Sequence, residues 1–335
     1  MSLSNLAHRS IPVLLLTMLP WTAGCPSLET LPTQAPIVEL KSPESKRPYL
    51  LYVPSVYNES RSWPLVVLCH GTWPYDTAEL QMREWASFAE SRGILLVAPT
   101  LEAARGDLPP PPDQQIALQR KDERVVLAIV SELKRRYQIA EHLVFMTGWS
   151  AGAYDILHIG LRHPDVFRAL FIRQGTFDPR FMDLPEGCID PWQSIKVIYG
   201  EGDVLLRDQS KAMIAWLREQ GAHVEEEGIT GTHQRINPGL AWKYFKLVAE
   251  KRLWARIRAT MPDPDAPLTY RFELDAVPPA VKRKWHFGDG EESNDERPMH
   301  TYARPGRYEL TVSLALSNGK KFVRKRVINV GVTAP

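Results

Sequence analysis

The chain has 335 residues, enough for one large domain and a small one, and its 44% apolar and 24% charged residues belong to a folded globular protein rather than a disordered one. A formal charge of +2 implies no strong electrostatic partner, and with the only dense basic patch near the C-terminus nucleic acid is not an expected partner. Apart from Cys25, only Cys69 and Cys188 are present, too few for a disulfide framework.

His8 and Arg9 precede an apolar run over 11–19, and Thr22-Ala23-Gly24-Cys25 follows. Basic, hydrophobic and small residues in that order predict an export signal over residues 1–25. The run is too short to span a bilayer as a stable helix. Its Ala-Gly-Cys ending resembles the lipobox of bacterial lipoproteins, which implies lipidation of Cys25 and membrane anchoring through it. Thr22 departs from that pattern, and simple secretion is the alternative; either way the expected location is outside the cytoplasm, in the cell envelope or beyond. Residues 26–44, rich in Pro, Thr, Ser and Glu and without periodicity, predict a linker.

From Tyr49 onward short apolar runs alternate with amphipathic stretches, and a large domain is expected over 45–260. Runs at 49–53, 65–69, 94–98, 143–147, 169–172 and 195–199, with a weaker one at 222–227, are apolar at consecutive positions, which suits strands covered on both faces. Helices are predicted over 79–91, 122–137, 208–220 and 239–258. The alternation predicts an α/β sandwich with a mostly parallel sheet, and therefore chemistry in the loops beyond the strand ends. Met261-Pro262-Asp263-Pro264-Asp265 is expected to be a linker. Beyond it, alternation at Tyr308, Leu310, Val312, Leu314 and Leu316, the turn Ser317-Asn318-Gly319-Lys320 and a second extended run predict a small β-sandwich over 265–335.

Gly148-Trp149-Ser150-Ala151-Gly152 fits G-x-S-x-G between a strand and a helix, the context that gives the pattern weight. A sharp turn there leaves no room for side chains two positions either side of the serine, projects its hydroxyl, and sets the Ala151 amide at a helix start facing a developing oxyanion. The hydroxyl needs a histidine to take its proton and a carboxylate to hold that histidine. Asp203 is the expected acid, directly after the 195–199 run, with Glu201 and Asp208 as alternatives and Asp208 better placed as a helix cap. His233, in Gly231-Thr232-His233, is the expected base. His223 opens a strand at the wrong end of the sheet, and His158 and His163 follow the serine helix. After the 65–69 run, His70-Gly71-Thr72-Trp73 offers the second oxyanion amide, from Thr72 or Trp73, with His70 orienting the loop.

Cys69-His70-Gly71, the serine motif, Asp203 and Gly231-Thr232-His233 together resemble the α/β-hydrolase superfamily, closest to secreted esterases related to polyhydroxyalkanoate depolymerases and feruloyl or acetyl-xylan esterases, and to the phospholipase/carboxylesterase group. The resemblance implies ester hydrolysis by Ser150, Asp203 and His233 with Ala151 and Thr72 or Trp73 at the oxyanion, no cofactor, and an ester substrate such as an acylated polysaccharide or a polyester. Ala153-Tyr154-Asp155 departs from that pattern, which more often has small or apolar residues there. Lys284-Trp285-His286-Phe287-Gly288-Asp289-Gly290, His300-Thr301-Tyr302 and Pro305-Gly306-Arg307-Tyr308 resemble the PKD domain, an immunoglobulin-like sandwich.

The specificity loop is expected over 99–121, with the rim of the substrate pocket drawn from Tyr75, Asp107, Trp73 and Trp149. No metal cluster is evident in the sequence, so none is expected. A serine peptidase of the same fold and a noncatalytic cell-wall or polysaccharide binder are the competing readings.

Overall fold

The computed structural model describes residues 35–106, 109–185, 188–235 and 237–331. The expected export signal with Cys25, and Asp107, lie outside them. Eight strands form the larger sheet: β1 (Ile37–Lys41), β2 (Pro48–Tyr52), β3 (Trp63–Cys69), β4 (Leu95–Pro99), β5 (Ile139–Trp149), β6 (Ala169–Arg173), β7 (Ser194–Gly200) and β8 (His223–Ile229). Their spatial order is β1-β2-β4-β3-β5-β6-β7-β8. β2 runs antiparallel to both its neighbours, and all pairs from β4 to β8 are parallel.

Five helices flank this sheet: α1 (Ala78–Arg92), α2 (Pro112–Arg136), α3 (Gly152–Asp155), α4 (Val204–Glu219) and α5 (Pro238–Lys251). α3 continues as a π-helical turn over Ile156–Gly160. Successive side chains of a strand point to opposite faces. Val66 and Leu68 accordingly pack with Met82 and Trp85 of α1 and Phe245 of α5, while Leu65 and Val67 pack with Val126 and Ile129 of α2 and Met213 of α4. Burial on both faces explains the unbroken apolar runs of β4 and β6, every residue of which is buried. Each such Leu, Val or Ile contributes about 1.5–3 kcal/mol relative to exposure.

Local chemistry sets the helix starts. Thr77 Oγ1 accepts from Leu80 N–H at 3.2 Å at the head of α1, and Asn237 Oδ1 accepts from Gly239 N–H at 2.7 Å at the head of α5. At its other end α5 is closed by Arg168, whose guanidinium donates to the carbonyls of Val248 (3.0 Å) and Arg252 (2.9 Å).

Three sequence expectations are corrected here. Within the expected linker, 37–41 forms β1, because its residues find an open edge of β2 to pair with. The expected loop over 99–121 becomes helical at Pro112, where proline suits a first-turn position that needs no N–H donor. The helix expected over 239–258 ends at Lys251, and β9 (Trp254–Thr260) pairs antiparallel with β10 (Thr269–Val277). In β9, Ala255 and Ile257 enter the core of the smaller body while Arg256 pairs with Asp275 at 2.8 Å. That two-residue period makes 261–265 a turn between paired strands instead of a linker.

The smaller body continues with β11 (Ala280–His286), β12 (Glu292–Ser293), β13 (Met299–Thr301), β14 (Gly306–Leu316) and β15 (Lys321–Val330). A three-stranded sheet, β13-β10-β9, and a four-stranded sheet, β12-β11-β14-β15, enclose Phe272, Trp285, Phe287, Tyr302, Leu310 and Val312. The two bodies touch. Arg324 forms a two-pronged ion pair with Asp190, Trp192 packs on Phe322 with ring centroids 4.8 Å apart, and Arg256 donates to Glu141 and to the Asp165 carbonyl, both at 3.0 Å.

Candidate active site

Only Ser150 and Ala151 lie between the end of β5 and the start of α3. Ser150 sits at φ 53°, in the left-handed region that a β-carbon disfavours. Its backbone is held there by Ser150 N–H donating to Arg173 O (3.1 Å) and by Ala153 N–H donating to Ser150 O (3.0 Å). A β-carbon at position 148 would lie 2.6 Å from the Cys69 carbonyl oxygen, and one at 152 would lie 2.7 Å from the carbonyl oxygens of both Cys69 and His70. The two glycines therefore let the turn lie against the end of β3. Among the described residues no hydrogen bond ties up Ser150 Oγ.

Asp203 and His233 are brought together directly: His233 Nδ1 lies 3.0 Å from Asp203 Oδ2. A carboxylate only accepts, so the imidazole proton is on Nδ1 and the Nε2 lone pair is free. The other oxygen of Asp203 accepts from Leu206 N–H at 3.2 Å, which makes Asp203 the cap of α4 as well. Asp208, expected as that cap, lies within the helix and pairs with Arg207. His233 stacks on Trp149, the residue before Ser150, with centroids 4.5 Å apart and planes 14° from parallel. The side chain keeps 31% of its surface open, yet the burial it has pushes its pKa below the ordinary histidine value, against the pull of Asp203. No hydrogen bond joins Ser150 Oγ to His233; the indole of Trp149 is what links the two segments.

The expected oxyanion loop follows β3. Buried His70 accepts from Leu101 N–H through Nε2 at 2.9 Å and donates from Nδ1 to the Gly71 carbonyl at 2.8 Å. Burial lowers its pKa, so it stays neutral in this orienting role. Asp76 holds the loop by accepting from Gly71 N–H and from the Gln81 side chain, both at 2.7 Å. Trp73 cannot be an oxyanion donor, because its N–H is given to the Ala104 carbonyl at 2.9 Å. The amides of Thr72 and Ala151 are not donated to any carbonyl among the described residues.

Of the expected pocket residues, Tyr75 and Trp73 are exposed, at 70% and 51%, and Trp149 is half-buried against His233. A cavity of about 520 Å³ borders Trp73, His70, Thr77, Tyr49 and Thr100. A larger one, about 890 Å³, lies on the small sandwich beside Lys282, Ser313 and Lys321 and is lined by none of the expected site residues. Asp203 and His233 meet in the larger body, away from that cavity.

The departure at Tyr154-Asp155 has a structural role. Tyr154 is buried edge-on against Phe181, with ring centroids 5.4 Å apart. Asp155 is fully buried, and neither of its carboxyl oxygens has a hydrogen-bond partner among the described residues. Burial, then the charge of Asp122, pushes its pKa well up. Asp122 accepts from the N–H groups of Glu102 and Ala103, both at 2.8 Å, and from Arg47. The two buried carboxyls lie close enough for the charge of one to be felt by the other, and both pKa values are raised. Against the cost of burial, hydrogen bonds from His158, His163 and Arg162 hold Glu123 well below the usual carboxylate range, which accounts for both histidines. Among the described residues no group of three His, Cys, Asp or Glu is placed to hold a metal ion.

Sequence reasoning missed Gln174 and Arg235. Gln174, buried at the end of β6, donates to the Thr232 carbonyl at 2.7 Å and accepts from Gln234 N–H at 2.8 Å and Trp149 Nε1–H at 3.3 Å. Arg235 pairs with Asp76 at 2.6 Å and Glu84 at 3.2 Å, and its guanidinium lies 5.1 Å from the Trp149 ring centroid. The available signal was the polar step Arg173-Gln174 directly after an apolar strand.

Comparison with known proteins agrees with this architecture. The prolyl oligopeptidase family model matches residues 117–224, and the PKD domain model matches residues 258–330. No curated protein matches the chain by sequence. Among solved structures, a ferulic acid esterase from Anaeromyces mucronatus aligns with TM-score 0.52 at 15% identity, over 66% of this chain and 94% of that one. A candidate dipeptidyl aminopeptidase IV from Bacteroides ovatus aligns with TM-score 0.47 at 13% identity, over 64% of this chain, which spans 35% of that protein. Fluorophosphonate-binding serine hydrolase F of Staphylococcus aureus aligns with TM-score 0.46 at 15% identity, over 64% and 97% of the two chains. The larger body has the α/β-hydrolase fold, and the smaller is an antiparallel sandwich matching the PKD domain.

Proposed function

We propose that the protein is a serine hydrolase of carboxylic esters, with Ser150 as nucleophile, His233 as base and Asp203 as the carboxylate that orients it. The observation that carries this reading is the 3.0 Å bond from His233 Nδ1 to Asp203, which leaves Nε2 free while the imidazole lies over the residue adjoining a left-handed Ser150. Base-to-nucleophile hydrogen bonds are often loose in an unliganded site and tighten when substrate binds. His233 takes the Ser150 proton as Oγ attacks the ester carbonyl, and the oxyanion is held by the amides of Ala151 and Thr72. Collapse expels the alcohol, which takes the proton from His233, and water then releases the acid by the same route. Loss of one oxyanion donor costs about 2.7–4 kcal/mol of transition-state stabilisation.

The exposed aromatic rim at Trp73 and Tyr75 supports a bulky acyl or alcohol group, such as that of an acylated polysaccharide or a polyester. Export, and anchoring through lipidated Cys25, belong to the same proposal. Intact-mass measurement of the mature protein tests them: an N-terminus at Cys25 carrying acyl chains is expected, and an unprocessed Met1 would refute both.

The test of the reaction is covalent labelling by a fluorophosphonate. Wild type is expected to label, and Ser150→Ala and His233→Ala to stay unlabelled while folded. A folded, unlabelled wild type would refute hydrolysis and favour a noncatalytic polymer-binding protein. The prolyl oligopeptidase match spans Ser150 and Asp203 and so favours a second reading, peptide hydrolysis by the same residues. Comparison of p-nitrophenyl esters with aminoacyl p-nitroanilides decides between them; faster turnover of the anilides would replace the ester reading.

A further inference from the structure

We propose that Gln174 is a positioning residue of the hydrolytic site: its carboxamide locks the His233 loop to the strand-to-helix turn that carries Ser150. The inference deepens the serine hydrolase reading and rests on it.

The loop bearing His233 meets the turn bearing Ser150 at the stacked rings of His233 and Trp149. β8 ends at Ile229 and α5 begins at Pro238, so His233 lies on a connection outside regular structure. Its backbone lacks the ladder that fixes a strand residue, and something must hold it to within the fraction of an ångström that proton transfer requires. Gln174 is placed to do so from both sides. Its Nε2 donates to the carbonyl of Thr232, and its Oε1 accepts from the N–H of Gln234, so one carboxamide holds the residues on either side of His233. The same Oε1 accepts from the indole N–H of Trp149, on whose ring the His233 imidazole stacks. A single rigid amide plane therefore fixes the base loop and the ring beneath the base in one register.

Gln174 itself has no freedom to follow the loop. It is fully buried, its N–H donates to Ile198 O of β7 at 2.7 Å, and its backbone sits at φ 47°, set by the end of β6 in the middle of the sheet. A left-handed, non-glycine residue at this point costs free energy and persists where the surroundings over-determine it. A second tie runs in parallel: Arg235 reaches Asp76, which also holds Gly71 N–H, so the base loop and the oxyanion loop share one carboxylate. The carboxamide needs both a donor and two acceptor directions at fixed spacing. Glutamate lacks the donor, and methionine lacks both.

The test is steady-state hydrolysis of a short p-nitrophenyl ester by the full chain carrying Gln174→Met or Gln174→Glu, with the pH dependence of kcat/KM and fluorophosphonate labelling measured alongside. If the carboxamide positions the base, Gln174→Met lowers kcat by about 10²-fold with KM nearly unchanged, the loss expected of a misplacement near 1 Å. Its acid limb also moves up towards the ordinary imidazole value as His233 swings into water, a change that loss of stability alone does not produce. Gln174→Glu keeps the two acceptor bonds, loses the bond to Thr232, and is expected to fall between wild type and Gln174→Met. It serves as the readout should Gln174→Met fail to fold. A folded variant with wild-type kcat and an unmoved acid limb, in a protein whose wild type labels, would overturn the positioning role and leave the hydrolase reading standing. Absence of labelling in folded wild type would overturn both.

Discussion

Replacement of Gly152 by alanine tests whether the strand-to-helix turn and the oxyanion loop form one rigid unit. The new β-carbon would lie 2.7 Å from the carbonyl oxygens of both Cys69 and His70, the two residues that lead into Gly71 and Thr72. An ordinary contact begins near 3.4 Å, so the two segments must part by roughly 0.7 Å, and neither can yield by rotating a side chain because both contacts are backbone. Overpacking of this kind costs about 1–3 kcal/mol. The functional cost is of similar size, since the displacement separates the Ala151 amide from the Thr72 amide: with about 10²-fold lost per ångström of misplacement, a fall in kcat of about 10- to 100-fold is expected, with KM little changed. Ester hydrolysis and thermal unfolding, measured in parallel on Gly152→Ala and on the exposed control Lys246→Ala, check this. Wild-type kcat together with a wild-type unfolding midpoint in Gly152→Ala would show that the turn has slack, and the reasoning would fail.

Because burial depresses the His233 pKa, and the neutral form is the base, kcat/KM should rise on an acid limb with a midpoint below the ordinary value of 6.5; a midpoint above it would contradict the stacked, partly dried imidazole. Trp73→Ala removes an exposed ring while its main-chain bond to Ala104 remains available, so KM should rise by about 2- to 10-fold, the worth of one aromatic contact, and kcat should hold; a collapse of kcat with KM unchanged would show that the ring is not a substrate-binding rim. For Asp155 the folded pKa lies well above the unfolded one, so the folded chain binds the extra proton and this residue's contribution to stability falls as pH rises above the ordinary carboxylate pKa. Asp155→Asn removes that dependence, and chemical denaturation should find it at least as stable as wild type at pH 7, with the gap widening from pH 4 to 7. A variant that is less stable at pH 7 than at pH 4, relative to wild type, would show Asp155 to be ionised.

Much of the larger body could be read from residue patterns because its strands are buried on both faces and its helices on one. The runs at 65–69 and 169–172 have no polar interruption, and the serine motif lies at the end of such a run. What escaped was set by partners distant in the chain. β1 exists because β2 offers an edge, and residues 37–41 alone carry too little apolar alternation to declare a strand. β9 carries a two-residue period, but Trp254 and Ile257 also fit the helical spacing of α5 before it. The exclusion of Trp73 as a donor depends on the Ala104 carbonyl, 31 positions away, which no local pattern reports. Gln174 and Arg235 are polar groups whose meaning comes wholly from the loops they tie.

The passage from α5 to β9 occupies only residues 252 and 253, and Arg168 grips the carbonyl of Arg252 on the way. A module on a long tether raises the local concentration of whatever it captures and lets it wander. Here the sandwich is instead a bracket: any polymer it grasped would be presented to the proposed catalytic face at one distance and one heading. Cleavage of such a polymer would then be spaced by the geometry of the protein, and lengthening the junction with a flexible insert would blur that spacing while leaving turnover of small soluble esters untouched.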